Sequence, residues 1–386
     1  MIKPAIVAVG YNRPKSMERL LESLERAAYP DDNIELIISI DRGSSSDEVA
    51  SVAEAAVWSH GTKTVVHHPD NLGLKKHILS CGDLSQKYGA VIILEDDLTV
   101  APSFYYYVMQ AADKYAENDK ICGIGLYSHA WNGYGNLHFI PERNEYDVYL
   151  GQYSITWGQC WTASQWNDFK KWYVEHENGL PQENPKMPES ISSWGDQSWG
   201  KYFVSYVVEK DLYYVIPYSS MSTNFSEVGQ HNFRVDCSHQ VPLMTGVKTG
   251  YNLPAFEDAV KYDVFFERIF PEDYKIGGIE AKNVCVNLNG IKKSPLGKEY
   301  ILTEISLILP VVAEYGLRMH PIDANITHNV EGSEIKLYKC EQEIDLPVSI
   351  KSLSGTRGAY EFYGFHWRVI ISEGLRRLKR AISRRL

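Results

Sequence analysis

Val91-Ile92-Ile93-Leu94-Glu95-Asp96-Asp97 runs from four apolar residues straight into three carboxylates. A short unbroken apolar run of this kind reads as a strand buried on both faces, as in a parallel sheet. Three adjacent carboxylates at the end of such a strand repel one another and favour a nearby cation. Their hard oxygens match Mg²⁺ or Mn²⁺, which takes one or two protein carboxylates and completes its shell with phosphate and water. The plainer alternative is a solvated acidic turn leading into the aromatic helix that Pro102-Ser103 opens.

Upstream, the same alternation repeats. Ala5-Ile6-Val7-Ala8-Val9 is a first strand ending at Gly10-Tyr11-Asn12-Arg13-Pro14, and Pro14 suits a first helical position. Met17, Leu20, Leu21 and Leu24 follow at helical spacing. Ile34–Ile40 reads as a second strand ending at Asp41, and Ser45-Ser46-Asp47-Glu48 has the capping-box pattern of a second helix. Thr64–His67 is a third strand, Leu74–Leu84 a helix, and Ile121–Leu126 a further strand. This order predicts an α/β fold with a mostly parallel sheet flanked by helices. Ligands of such sheets lie at the carboxyl ends of the strands. Tyr11, Asn12, Arg13, Asp41 and Glu95-Asp96-Asp97 all fall there and can share one crevice. Taken singly, Asp41 also suits a turn with Arg42-Gly43, and Arg13 a surface charge.

Residues 127–240 change character: seven of the nine Trp lie between Trp131 and Trp199. Trp157, Trp161, Trp194 and Trp199 suit either core packing or stacking on sugar faces. Residues 241–364 carry short strand-like runs and turns, which predict an appended α+β portion. The reading therefore divides the chain into 1–126, 127–240, 241–364 and a basic amphipathic helix over 365–386.

At this point the residues resemble a known family. The stretch from Val91 to Phe104 is similar to the Glu-Asp-Asp-Leu region of N-acetylglucosaminyltransferase I and its relatives, which are metal-dependent inverting glycosyltransferases of GT-A (Rossmann-like) fold. Pro69-Asp70-Asn71-Leu72-Gly73-Leu74 resembles a stretch of family-2-type bacterial glycosyltransferases. Gly151–Trp161 is similar to the acceptor-side segment, Ser193–Trp199 to the stretch that holds the catalytic base, and Val228-Gly229-Gln230-His231 to a turn near the diphosphate. The resemblance implies donor contacts at Val9, Tyr11, Arg13, Asp41, Lys76, Glu95, Asp96 and His231. It further implies Asp97 on the metal (Mn²⁺ or Mg²⁺) and Asp196 as base. Lys75 and His77 compete with Lys76 for the basic contact ahead of the acidic motif, and Asp196 also suits the cap of the helix that follows it. A UDP-sugar donor and a glycan or lipid-linked glycan acceptor are the implied partners.

Composition narrows the remaining choices. With 44% hydrophobic and 23% charged residues the chain has ample apolar surface for a core. No apolar run is long enough for a transmembrane helix or a signal-peptide core. Six widely spaced cysteines without Cys-x-x-Cys suit a reducing cytosol. The net charge of −10 argues against nucleic acid. From Arg368 onward seven Lys/Arg stand against Glu373 alone, so the tail carries +6 and the body −16. Trp367, Ile371, Leu375, Leu378, Ile382 and Leu386 share one helical face. Residues 366–386 thus read as a helix for an anionic membrane surface, or one docked on the acidic body. The expectation is a bacterial enzyme in the cytoplasm, peripheral on the inner face of the plasma membrane. Two rivals stand beside it: a nucleotidyltransferase, and a non-enzymatic carbohydrate-binding scaffold on a decayed transferase fold.

Overall fold

The computed structural model describes residues 2–347 apart from 136, 154, 182–183, 226, 228–236 and 238, together with 371, 372 and 374–376. The N-terminal part alternates as its sequence predicts: β1 (Ala5–Gly10), α1 (Pro14–Glu25), β2 (Leu36–Ile40), α2 (Ser46–Ala55), β3 (Lys63–His67), α3 (Leu74–Asp83), α4 (Ser85–Tyr88) and β4 (Ala90–Glu95). β5 (Leu98–Val100), α5 (Phe104–Tyr115) and β6 (Ile121–Gly125) follow. α6 (Ala163–His176), α7 (Glu189–Ser192) and α8 (Trp199–Glu209) come from the Trp-rich region.

β5 pairs separately with the Ser222–Asn224 strand, whereas β1 to β4 and β6 belong to a ten-stranded sheet. β1 is central to its parallel half, with Val7 level with Ile37 of β2 on one side and Ile93 of β4 on the other. The pleat sends alternate residues to opposite faces. Ile6, Ala8, Ile38, Ile92 and Leu94 pack with Met17, Leu20, Val49, Tyr105 and Val108 from α1, α2 and α5. Val7, Ile37, Val91 and Ile93 pack on the other face with Ile78, Trp166, Phe169 and Phe203 from α3, α6 and α8. Helices on both faces explain why β1, β2 and β4 are apolar almost throughout, whereas β3 at the sheet edge alternates.

Three features depart from the sequence reading. The Gln159–Thr162 strand runs antiparallel between β4 and β6, so these two are not neighbours. The sheet also continues past residue 240, because Lys261–Tyr262 and Arg268–Ile269 extend it beyond the Val148–Gly151 strand. The Ser45–Glu48 capping box does not form: Ser45 makes no side-chain cap bond, and the Asp47 carboxylate instead accepts from Arg42 at 2.8 Å. A complete box occurs at α6, between Thr162 and Gln165.

The C-terminal part is a four-stranded mixed sheet in the order Val284–Asn287, Tyr300–Thr303, Ile335–Lys339, Val311–Tyr315, with a core of its own around Leu302, Ile335 and Leu337. Buried charges join it to the large sheet. Lys292 Nζ lies 2.6 Å from the Asp263 carboxylate and donates to the Val286 carbonyl. Buried Glu267 accepts from the Asn289 amide at 2.7 Å. Burial pushes the Glu267 carboxyl up from 4.5 to about 8, with Lys292 opposing. The folded chain therefore keeps a proton that the unfolded chain loses first, and stability falls as pH rises between these values. Unfolding midpoints in urea should show the wild type losing stability from about pH 5 to about pH 8, by at most about 1.4 kcal/mol per pH unit for one proton. Glu267→Gln, which keeps an acceptor for Asn289, should flatten that slope.

Candidate active site

Val9 stands level with Glu95, so the residues that follow β1 and β4 meet at one end of the sheet. There the Arg13 guanidinium pairs with Asp96 and lies 3.5 Å from an Asp97 oxygen. The Asp96 side chain is only 4% exposed, whereas Arg13 and Asp97 keep 28% and 27%. Asp96 Oδ2 is buried without a hydrogen-bond partner among the described residues. Burial pushes the Asp96 carboxyl up to about 6 against the pull of Arg13, and burial with Asp97 as neighbour pushes Glu95 up to about 8. Burial also raises Asp97. Three carboxylates facing one guanidinium leave a residual demand for positive charge.

The adjoining wall is laced through backbone amides. Asp41 is buried at the end of β2, where Oδ1 accepts from the Arg42 and Leu72 amides at 2.9 and 2.7 Å and Oδ2 from the Gly73 amide at 3.0 Å. Gly73 takes φ +74°, the left-handed region open to glycine. Asn71 donates to the Arg42 carbonyl at 2.6 Å and reaches the Tyr11 hydroxyl at 3.4 Å. A Cβ at Gly43 would lie 2.2 Å from Asn12 Oδ1 and 2.5 Å from the Tyr11 ring, so this close approach requires glycine. Asp41 thus performs the turn role that its sequence left open.

The three candidates for the basic contact part company. His77 is buried with Nε2 2.7 Å from Ser39 Oγ, and burial pushes it down to about 4, so it is neutral. Lys75 donates to the Asp196 carbonyl at 2.8 Å and lies over the Tyr202 ring. Lys76 is exposed on the first turn of α3.

The Lys75 contact sets the start of α8 beside the start of α3. Ser198, not Asp196, caps α8 by accepting from the Lys201 amide. The Asp196 side chain remains 78% exposed, 3.6 Å from Lys201 Nζ. Trp161 and Trp199 are core residues: Trp161 packs on Trp166 and Phe203, and Trp199 meets it edge-on. Trp194 packs with Met187 and Ile191. Trp157 differs. It stands just ahead of the Gln159–Thr162 strand, beyond Gly158, which takes φ +96°. It is half-buried, with ring centroids 4.7 Å from Tyr127 and 5.1 Å from His239.

Glu227 went unread in the sequence. The Ser222–Asn224 strand pairs with β5, and the Phe225 amide donates to the Asp97 carbonyl at 2.8 Å. Two residues on, Glu227 is held by Arg19 at 2.8 Å and by Ser16. Those bonds keep its carboxyl down near 2, and its charge contributes to the rise at Asp97. No local motif signals this residue, because a strand pairing distant in sequence brings it in. His231 lies outside the described residues.

Residues 5–165 match the family model described as Glycosyl transferase family 2. That match spans the parallel strands and the strand-end crevice and stops early in α6. The mostly parallel, helix-flanked sheet is GT-A-like. No curated protein matches the chain. Among solved structures it is similar to S. aureus TarS 1-349 in complex with UDP, at 15% identity and TM-score 0.36, over 57% of this chain and 60% of that one. The same TarS fragment with UDP-GlcNAc matches at 12% identity and TM-score 0.36, over 60% of each chain. A mannosyltransferase from Pyrobaculum calidifontis in complex with GDP-Man and Mn²⁺ matches at 12% identity and TM-score 0.28, over 50% of this chain and 51% of that one. The chain thus spans about 60% of the TarS fragment.

The Asp41 clamp carries a direct consequence. Asp41→Ala orphans the Leu72 and Gly73 amides and removes bonds to a charged acceptor, so it should cost about 3 kcal/mol or more in denaturant unfolding. Asp41→Asn, which keeps one carbonyl oxygen, should cost less.

Proposed function

We propose that this enzyme transfers N-acetylglucosamine or a related hexose from a UDP-sugar to a hydroxyl of a glycan or lipid-linked glycan, with inversion. The observation that carries the reading is the strand-end cluster in which Arg13 only partly offsets Asp96, Asp97 and Glu95, with Asp96 Oδ2 left buried and unpartnered. Arg13 would meet the diphosphate. Val9, Tyr11 and the Asp41–Gly43 turn would line the nucleoside, Glu95 and Asp96 the ribose or donor sugar, Lys76 the outer rim, and His231 the diphosphate side.

A divalent cation, Mn²⁺ or Mg²⁺, fits the donor chemistry of Asp97, a partly accessible hard-oxygen ligand. Among the described residues no group of three or more His, Cys, Asp or Glu gathers to hold a metal ion, so the remaining ligands would come from phosphate and water. When bound, such an ion supplies Lewis-acid neutralisation of the leaving diphosphate. The protein's own groups then orient the acceptor and move its proton. Asp196 accepts the proton as the acceptor oxygen forms its bond to the anomeric carbon. The bond from that carbon to the diphosphate breaks, and the electron pair leaves with UDP. Attack from the face opposite the leaving group inverts the centre. Trp157, half-buried just ahead of the Gln159–Thr162 strand, would offer its ring to a sugar.

The basic C-terminal stretch supports a position on the inner face of the plasma membrane, at roughly 1 kcal/mol per Lys or Arg near an anionic surface. Within it only residues 371, 372 and 374–376 are described; they are helical, and Ile371 and Leu375 are 52% and 55% exposed. No helix among the described residues is long and apolar enough to cross a membrane.

Thermal unfolding with UDP-N-acetylglucosamine and Mn²⁺ tests the donor site. A donor at 100-fold its Kd should stabilise the wild type by about 2.7 kcal/mol, and Asp97→Ala should lose the Mn²⁺-dependent part. Asp196→Asn should keep that stabilisation and lower kcat by ~10²–10⁴-fold. Equal donor turnover with and without the Asp97 carboxylate would overturn the metal assignment.

A further inference from the structure

Arg13, Ser16 and Arg19 follow one another at three-residue steps from just ahead of α1 into its second turn, which keeps them along one side of the helix. They reach the acidic strand end by two routes. Arg13 takes the direct one: it pairs with Asp96 and lies 3.5 Å from an Asp97 oxygen. Ser16 and Arg19 take the other, through Glu227, which lies 211 and 208 residues further along the chain.

That second route ends on the Asp97 backbone. In the pairing of the Ser222–Asn224 strand with β5, Asn224 stands level with Leu98, so the chain arrives beside the residue that follows the acidic motif. The Phe225 amide then donates to the Asp97 carbonyl at 2.8 Å, and the Glu227 amide donates to the Phe225 carbonyl at 2.8 Å. Each carboxylate oxygen of Glu227 has its own partner on α1: Oε1 accepts from Arg19 Nη1 at 2.8 Å, and Oε2 accepts from the Ser16 hydroxyl. The Arg19 guanidinium also lies 3.7 Å over the Phe225 ring, so it contacts both Phe225 and Glu227. Arg19 Nε and Nη2 are buried with no hydrogen-bond partner among the described residues, so among them Glu227 is the carboxylate that anchors it. The Arg19 bond holds the Glu227 carboxyl down near 2, and the latch stays charged at neutral pH.

Asp97 is thus held twice from one helix, by its side chain through Arg13 and by its carbonyl through Phe225. The two holds differ in what donor binding does to them. Arg13 is the group proposed for the diphosphate, and a guanidinium that turns to phosphate gives up part of its contact with Asp97. The hold through Phe225 uses a backbone bond and the Glu227 latch, neither of which is assigned to the donor. We infer that Glu227 is a positioning residue: by locking Phe225 to α1 it keeps Asp97 in place to take the divalent cation. The inference rests on the metal role proposed for Asp97. In it Glu227 touches neither ion nor sugar.

Mn²⁺ binding to the full chain, followed by the electron paramagnetic resonance signal of the free ion with UDP present, tests it apart from activity. Glu227→Ala should weaken Mn²⁺ about tenfold, the size typical when the support of a metal ligand is removed, while UDP without metal binds within about twofold of the wild type. Glu227→Gln, which still accepts from Arg19, should recover most of the loss. Arg19→Met should cost as much as Glu227→Ala, and combining the two should add little, because both break one latch. Mn²⁺ affinity of Glu227→Ala within about twofold of the wild type would overturn the inference. So would an equal loss of UDP affinity without metal, or Glu227→Gln as weak as Glu227→Ala. Asp97→Ala separates this role from the metal reading. If it binds Mn²⁺ as the wild type does, both fall; if it loses Mn²⁺ and Glu227→Ala does not, only the Glu227 role falls.

Discussion

The pairing of Arg13 with Asp96 is the contact on which the polar crevice at the strand ends depends. A carboxylate as buried as Asp96 is costly unless a counter-charge faces it. Arg13 can face it only because β1 and β4 are parallel neighbours with Val9 level with Glu95. The polar crevice is therefore a consequence of strand order. In turn, the strand order relies on helices covering both faces of a sheet whose central strands β1, β2 and β4 are apolar almost from end to end.

From that contact the rest of the crevice can be followed outward. Asp41 spends its oxygens on the amides of its own turn and of the loop before α3, which stiffens the wall beside Tyr11. The opposite wall is drawn in by the pairing of Ser222–Asn224 with β5, which carries Glu227 to α1 and close to Asp97. Arg19 serves that outer carboxylate much as Arg13 serves the inner ones, and also lies over the Phe225 ring. Charge is thus handled in pairs spanning elements far apart in sequence, which makes the crevice a product of the whole sheet.

The first half of the fold was legible because its signals are local. Apolar runs ending in Asp41 or Glu95-Asp96-Asp97, and helices starting at Pro14 or Leu74, each show in a short window. The convergence of Tyr11, Arg13 and Asp96 followed from parallel topology alone. What escaped the reading depends on long-range pairing. Nothing within Gln159–Thr162 says that it inserts antiparallel, and nothing near Glu227 says that it borders the acidic end. Trp161 and Trp157 stand in one aromatic segment, yet the first is sealed in the core and the second is half-open, because the first lies within the Gln159–Thr162 strand and the second ahead of it. Ser198 took the cap that Asp196 also suited in sequence, and only the structure separates two polar residues so close to a helix start.

The inserted Gln159–Thr162 strand bears on how the chain can be cut and made. Up to Gly125 the polypeptide looks like a self-contained half, but β4 then has a bare flank of amides and carbonyls, and β6 has no partner between itself and the parallel group. During synthesis these edges stay open until the Trp-rich segment has left the ribosome. A fragment ending at the apparent midpoint would expose a long apolar edge strand, the form of surface on which chains aggregate. The smallest heritable or engineerable module is accordingly the sheet with its reverse-running strand in place, and exchanges between related enzymes should join well beyond that strand.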